Sequence, residues 1–182
     1  MTINLELPAA LPLTADEYGR LPIPEGVRIE LWNGSLDISA AAQMGWHSQT
    51  ARRICNLFID EHRLAYQEVG VVPGPRAVRT PDVTRFRPEV RPHSRGSQFP
   101  ATDVDLVAEV VSPESRERDR VVEPLEYAAA GIPEFWLVEE DEADADDAIV
   151  NIFRLTIVPT GHAYTLTRKV NLTALEDAAA DE

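Results

Sequence analysis

The run from Val104 to Val111 is the feature that most constrains how this chain can fold. It is apolar at most positions, as in a strand buried on both faces of a sheet, and it carries Glu109 near its end. A carboxylate buried in such a strand is costly unless it is paired or bound to a metal. Glu109 therefore marks a candidate site as well as the centre of a sheet.

A second acid stands where the neighbouring strand is predicted to begin. Pro81-Asp82 opens an alternating apolar run from Val83 to Phe86. A carboxylate at the start of one strand and another inside its neighbour can meet at one edge of a sheet. Two carboxylates at one point hold a hard divalent cation, and such an ion can activate water against a phosphodiester. Asp82 and Glu109 are thus the predicted pair.

The residues before this pair predict a hairpin and a long helix. Val27 to Trp32 alternates like a strand, and Asn33-Gly34 is a strong signal for a two-residue hairpin turn. Glu30 lies between apolar residues of the first strand, which is unusual for an acid. Gln43 to Leu64 is the longest predicted helix, with apolar residues on the face that also carries His47. A histidine there is by default a packed or capping residue.

The residues after Glu109 predict a helix, a buried strand and a closing pair of strands. Pro113 starts a helix that runs towards Ala130, with a kink or restart at Pro124. Phe135 to Val138 is the next strand, residues 139–147 form an acidic loop, and 148–182 hold two antiparallel strands and a tail. We expect one domain, 1–182, built on a single mixed sheet.

Composition limits the possible partners and compartments. The net charge of −14 repels nucleic acid on average, yet residues 76–95 hold six arginines against two acids. That cluster fits either a local basic surface or a solvated mixed face. The single cysteine, Cys55, excludes an internal disulfide, and no apolar run is long enough to cross a bilayer. Met1 to Ala10 lacks the basic residues of a secretory signal, so we expect a cytoplasmic protein.

Several strings of the chain, taken together, resemble the Uma family of the PD-(D/E)xK nuclease superfamily. The most specific are Ala108-Glu109-Val110-Val111-Ser112-Pro113 and Gly131-Ile132-Pro133-Glu134-Phe135-Trp136-Leu137-Val138. They are accompanied by Arg28-Ile29-Glu30-Leu31-Trp32-Asn33-Gly34, His47, Pro81-Asp82-Val83 and the segment from Asp119 to Tyr127. The resemblance covers roughly residues 28–138.

The resemblance implies an α/β fold of the restriction-endonuclease-like type, a mixed β-sheet flanked by α-helices, here with an N-terminal β-hairpin. It implies that Asp82 and Glu109 bind Mg²⁺ or Mn²⁺ together with the backbone carbonyl of Val110. Glu30 matches an additional acid near the family's site.

The family usually carries a lysine on the helix after the Ser-Pro string, and the matching position here is Glu123. Three interpretations follow. The chain is an active nuclease, in which Arg120 or Arg118 replaces the lysine or Glu123 acts as a further acid. Alternatively, it is a weakened relative that still binds nucleic acid or a protein partner, or it has the fold with an unrelated function. We predict a metal-dependent endonuclease that hydrolyses DNA phosphodiester bonds. Its predicted catalytic residues are Asp82, Glu109, Glu30, Glu123 and Arg120.

The predicted partners are DNA and a second copy of the chain. We assign nucleic-acid contacts to Arg79, Arg85, Arg87 and Arg118. A two-fold dimer matches the symmetry of duplex DNA, and the family resemblance also favours a homodimer.

Overall fold

The structure is a computed structural model that describes residues 12–23, 27–40, 45–59, 63–93, 96–112 and 118–181. Its helices are α1 (Ala15–Tyr18), α2 (Gly45–Phe58), α3 (Glu123–Ala129) and α4 (Leu172–Ala180). Its strands are β1 (Val27–Trp32), β2 (Ser35–Ala40), β3 (Ala65–Gln67), β4 (Gly70–Gly74), β5 (Ala77–Arg79), β6 (Val83–Phe86), β7 (Gln98–Pro100), β8 (Val104–Val110), β9 (Glu134–Asp141), β10 (Asp144–Val158) and β11 (Gly161–Asn171). A 3₁₀ turn, Ala101–Asp103, precedes β8, and a π-helical turn, Arg118–Val122, runs directly into α3.

The strands form two sheets, which corrects the expectation of a single one. The first sheet has the order β2-β1-β5-β4-β7, and the second has the order β11-β10-β9-β8-β6-β3. The chain leaves the first sheet after β5 and enters the second at β6, through Thr80, Pro81 and Asp82. Pro81 has no amide hydrogen to donate to a strand ladder, which disfavours continuous pairing through this position. The mixed α/β fold itself is as predicted.

The Asn33-Gly34 hairpin is confirmed. β1 pairs antiparallel with β2 from Val27 opposite Ala40 to Trp32 opposite Ser35. Asn33 has φ 49° and Gly34 has φ 82°, the left-handed values that a type I′ turn requires at both positions. A Cβ on Gly34 would lie 2.3 Å from Cβ of Pro12, so close packing also demands glycine there.

β8 lies in the interior of the second sheet, as its apolar sequence predicts. It pairs antiparallel with β6 and parallel with β9, and α3 lies on the connection between β8 and β9. Ala108 and Val110 belong to the core that α2 covers, whereas Val107 packs with Tyr127 of α3 in a second core. Because side chains alternate along a strand, Glu109 lies on the α3 face.

The acidic stretch 139–147 is not a loop. β9 continues to Asp141 and β10 begins at Asp144, and a register shift lies between Asp144 and Ala148. Residues 142–146 are exposed, so their carboxylates stay hydrated and do not oppose strand pairing. The amides of Ala143 and Asp146 donate to the side chains of Asp141 and Asp144, which stabilises the tight turn.

The helices also differ from their predicted bounds. α2 ends at Phe58 rather than Leu64, while residues 43–44 and 60–62 of the predicted helix lie outside the described residues. The predicted start at Pro113 lies outside them too. The restart near Pro124 is confirmed, because the π-helical turn gives way to α3 at Glu123. The closing antiparallel pair is β10 and β11.

Within the part of the chain that the structure describes, no helix combines the length and the apolar character needed to span a membrane.

Candidate active site

The segment that crosses between the two sheets brings their carboxylates together. On the side of the first sheet, the amide of Thr80 donates a 2.9 Å hydrogen bond to Oε1 of Glu30, on β1. On the side of the second, the amide of Asp82 donates to Oε2 of Glu109, on β8, at 3.3 Å. All three acids are at most 3% exposed. The structure therefore unites Glu30, Asp82 and Glu109 at the junction of the two sheets.

Asp82 is held in one orientation by groups from β8 and α2. Its Oδ2 accepts a 2.7 Å hydrogen bond from the amide of Val110 and lies 3.1 Å from Nε2 of His47. Burial lowers the pKa of His47, but the hydrogen bond and charge of Asp82 outweigh it, and the pKa is raised. Oδ1 of Asp82 lies 3.5 Å from Nη1 of Arg28 and accepts no hydrogen bond from the described residues. Oδ1 is thus the oxygen left for a ligand.

On its other side Glu109 faces two acids of the helical segment. Oxygens of Glu109, Asp119 and Glu123 all lie within 4.8 Å of one another, and the three side chains are buried. Metal–oxygen bonds of about 2.0–2.6 Å place two ligands of one ion at most about 5 Å apart. The geometry and the hard oxygen donors therefore fit Mg²⁺, Mn²⁺ or Ca²⁺.

The electrostatics of this cluster also favour a cation. Burial raises the pKa of Glu109 well above its usual value, and the charges of Glu123, Asp82 and Asp119 raise it further. The hydroxyl of Tyr127 donates to Oε1 of Glu109 at 2.8 Å. A proton on Glu109 relieves the repulsion among these acids, and a divalent ion would do the same with release of that proton.

Two arginines of the first sheet, the partly buried Arg28 and the buried Arg79, offset part of the negative charge. Burial lowers the pKa of Arg28, but Glu30, Glu109, Asp82 and Glu123 outweigh it and keep the guanidinium charged. Arg79 is 1% exposed, and it lies 3.4 Å from Oε2 of Glu30 and 2.6 Å from Oε2 of Glu126. Both guanidinium groups therefore belong to the interior of the site.

The arginines predicted at the site and on its basic surface do not lie together. Arg79 is buried, as described, rather than on a surface. Arg85 pairs with Oδ1 of Asp105 at 2.9 Å, and Arg87 donates to the carbonyl of Thr102 at 2.7 Å. Arg120 is directed to Glu139 of β9 and not to the acid cluster. The side chain of Arg118 lies outside the described residues.

Three members of the site were not identified from the sequence as functional residues: Asp119, Tyr127 and Arg28. Asp119, Glu123 and Tyr127 are spaced four residues apart, so a helical reading places them on one face, the face that meets Glu109. That spacing was a usable signal. His47 was noted near the start of α2, and it is packed as expected, but against Asp82 rather than against apolar residues alone. The backbone of Val110 also faces its imidazole.

A search of curated proteins finds no match. A crystal structure described as a putative nuclease belonging to DUF820, from Anabaena variabilis ATCC 29413, is similar with a TM-score of 0.62 and 20% sequence identity, over 92% of this chain and 99% of that one. At that identity the likeness shows the fold. The model of the Uma2 family, described as "Putative restriction endonuclease", matches residues 15–176. The chain therefore belongs to the Uma2 family.

Proposed function

We propose that this protein is a metal-dependent endonuclease that hydrolyses phosphodiester bonds of DNA. The observation that carries the proposal is the buried cluster of Glu109, Asp119 and Glu123, whose oxygens lie within 4.8 Å of one another beside Asp82. Family membership supports the reaction class, because the family model carries the description "Putative restriction endonuclease". The donor set supports Mg²⁺ or Mn²⁺ as the cofactor.

We assign the cation to Glu109, Asp119 and Glu123, with Oδ1 of Asp82 as the ligand from the β6 side. The family resemblance implies the carbonyl of Val110 as a further ligand, and the amide of the same residue donates to Oδ2 of Asp82. A divalent ion bound there would activate water and stabilise the charge that develops on the attacked phosphate. Glu123 is then the further acid of the site rather than a defect in it.

The surrounding residues hold these ligands in place. Tyr127 orients Glu109 through the 2.8 Å hydrogen bond to Oε1. His47 and the amide of Val110 fix Oδ2 of Asp82. Arg28 and Arg79 hold Glu30 from two sides and place positive charge next to the cluster. In this scheme Glu30 positions the arginines, and Arg120 has no part in the chemistry.

A second candidate is a nuclease fold that binds nucleic acid without cutting it. The observation that favours it is the position of Glu123, which places a buried acid where the family resemblance implies a lysine. Nothing in the described part of the chain puts a lysine at the cluster, since the single lysine, Lys169, is on β11.

Glu123→Lys separates the two candidates. If Glu123 is a ligand, the purified protein cleaves DNA in Mg²⁺ or Mn²⁺, and Glu123→Lys abolishes both cleavage and the metal-induced rise in melting temperature. Glu140→Lys, the same charge reversal at an exposed position of β9, should leave both unchanged. If cleavage instead increases in Glu123→Lys, the assignment of Glu123 as a ligand is wrong. Salt-sensitive DNA binding that survives Asp82→Ala, with no strand scission in either metal, supports the second candidate.

A further inference from the structure

Trp32 is a large aromatic side chain that the structure leaves half exposed at the edge of the site. It is the last residue of β1 and is 50% exposed. Of the other two tryptophans, Trp136 is 7% exposed and Trp46 is partly buried against the core under α2. Trp32 is therefore the most exposed of the three indoles.

Strand geometry places the side chain of Trp32 on the same face of the first sheet as the side chain of Glu30. Trp32 follows Glu30 by two residues, so both side chains lie on one face of β1. The guanidinium carbon of Arg79 lies 5.6 Å from the centre of the indole ring, and Nη1 of the same arginine lies 3.4 Å from Oε2 of Glu30. Arg79 thus contacts both the ring of Trp32 and the carboxylate of Glu30.

Half of the Trp32 side chain is left exposed by the residues that the structure describes. Arg79 lies over the ring from the protein side. The partner of Trp32 across the hairpin is Ser35, which is small and exposed, and Leu31 pairs with Val78 on the other side, which puts Ala77 next to Trp32. Small residues on both flanks leave room for a planar group to lie on the indole.

An exposed arginine, Arg76, lies in the turn that precedes β5. The amide of Gly34, two residues after Trp32, donates a 2.9 Å hydrogen bond to the carbonyl of Arg76, and the side chain of Arg76 is exposed. Unpaired bases stack on exposed aromatic rings, and basic side chains of the same protein surface hold the phosphate backbone. Arg79 beneath the ring adds a cation–π contact on the protein side.

We infer that Trp32 is the stacking platform for an unpaired nucleobase, and that the preferred substrate is single-stranded nucleic acid or DNA with an unpaired base next to the cleaved bond. The inference rests on the proposed function for its substrate, and it adds which structural form of nucleic acid is bound. A base inside an intact duplex has no free face to offer, so Trp32 contributes nothing to duplex binding.

Binding of a fluorescent oligothymidylate, measured by anisotropy in EDTA, tests this without any need for cleavage. We expect the Trp32→Leu variant, which keeps an apolar side chain over Arg79 but has no aromatic face, to lose affinity by about 5- to 150-fold, the range of one base–aromatic stack. Trp32→Phe should stay within about 3-fold of the wild type, because its ring still stacks. Binding should also quench tryptophan fluorescence in the wild type and not in Trp32→Phe.

The same protein and a fully paired duplex provide the control. Duplex affinity should be equal in wild type and Trp32→Leu. The inference is overturned if Trp32→Leu binds the oligothymidylate as tightly as the wild type, or if it weakens single-strand and duplex binding equally. If binding depends on Trp32 but the protein cuts nothing in Mg²⁺ or Mn²⁺, the stacking role of Trp32 is supported and the nuclease assignment is wrong. Cleavage that is unchanged in Trp32→Leu supports the nuclease assignment and overturns the stacking role of Trp32.

Discussion

Replacing Glu123 by glutamine should stabilise the metal-free protein, although it alters a fully buried residue. Two unit charges 4.8 Å apart repel by about 3–4 kcal/mol at an effective dielectric constant of 20. Protonation of Glu109, which its raised pKa favours, relieves part of this repulsion. The amide keeps the shape of the side chain and can still bond to Glu109. We therefore expect a gain of about 1–3 kcal/mol at neutral pH, or about 3–10 °C in melting temperature.

The gain should depend on pH in a direction that the structure fixes. The folded pKa of Glu109 is raised above its ordinary value of 4.5, so protonation favours the folded state. Its contribution to stability is complete below that value and is lost as the pH rises through the folded pKa. The advantage of Glu123→Gln should therefore be small near pH 4 and grow towards pH 8. Chemical denaturation in EDTA across this range measures it.

Glu134→Gln is the matched control, because Glu134 is also buried but is paired. Its Oε2 lies 2.9 Å from Nη1 of Arg154, and its Oε1 accepts a 2.7 Å hydrogen bond from the indole of Trp136. Loss of that charge should destabilise by about 1–3 kcal/mol. Added Mg²⁺ or Mn²⁺ at one hundred times its Kd should stabilise the wild type and Glu134→Gln by about 2.7 kcal/mol, and Glu123→Gln by less. A metal-free Glu123→Gln as unstable as Glu134→Gln would refute the reasoning.

Two further predictions concern His47 and assembly. The folded pKa of His47 is raised above 6.5, so its pairing with Asp82 stabilises the fold below pH 6.5, and this contribution is lost as the pH rises through the folded pKa. The difference in free energy of unfolding between the wild type and His47→Gln should therefore narrow from about pH 5.5 to about pH 8.5, as measured by urea denaturation. A difference that widens over this range contradicts the pairing. We propose a homodimer, so sedimentation at high micromolar concentration should give twice the 20.2 kDa chain mass, and a monomer contradicts this proposal.

The elements of the fold that the sequence predicts well are those fixed by local chemistry. Asn33-Gly34 can adopt positive φ at both positions, so the hairpin and its register follow from the residues themselves. The continuous apolar run around Leu106 and Val107 has only one stable place, in the interior of a sheet. The prediction of a loop at the acidic residues around Asp144 was wrong. Charge predicts exposure, and exposed residues can still pair in a strand at the surface of a sheet.

The sequence predicted only part of the site, because some of its residues are brought there by tertiary packing that a residue pattern does not contain. Glu30, Asp82 and Glu109 stand out because each acid sits among apolar neighbours in a strand. Asp119 lies in a charged segment where an acid is ordinary, and only the packing of the helix against β8 turns it inward. Arg79 looked like a surface cation for the same reason, since its burial depends on Glu30 and Glu126, which are distant in sequence.

The crossing segment has a consequence for how this chain tolerates change in length. Only Thr80, Pro81 and Asp82 separate the end of β5 from the start of β6. The amides of Thr80 and Asp82 donate to Glu30 of the first sheet and Glu109 of the second. One residue inserted here would shift β6 by a single position, and in a strand that reverses which face each side chain occupies. Val83 would leave the core while Asp82 turned away from Val110. The insertion would dismantle the site with every carboxylate still present, so the spacing of these three residues is as much a part of the site as the acids themselves.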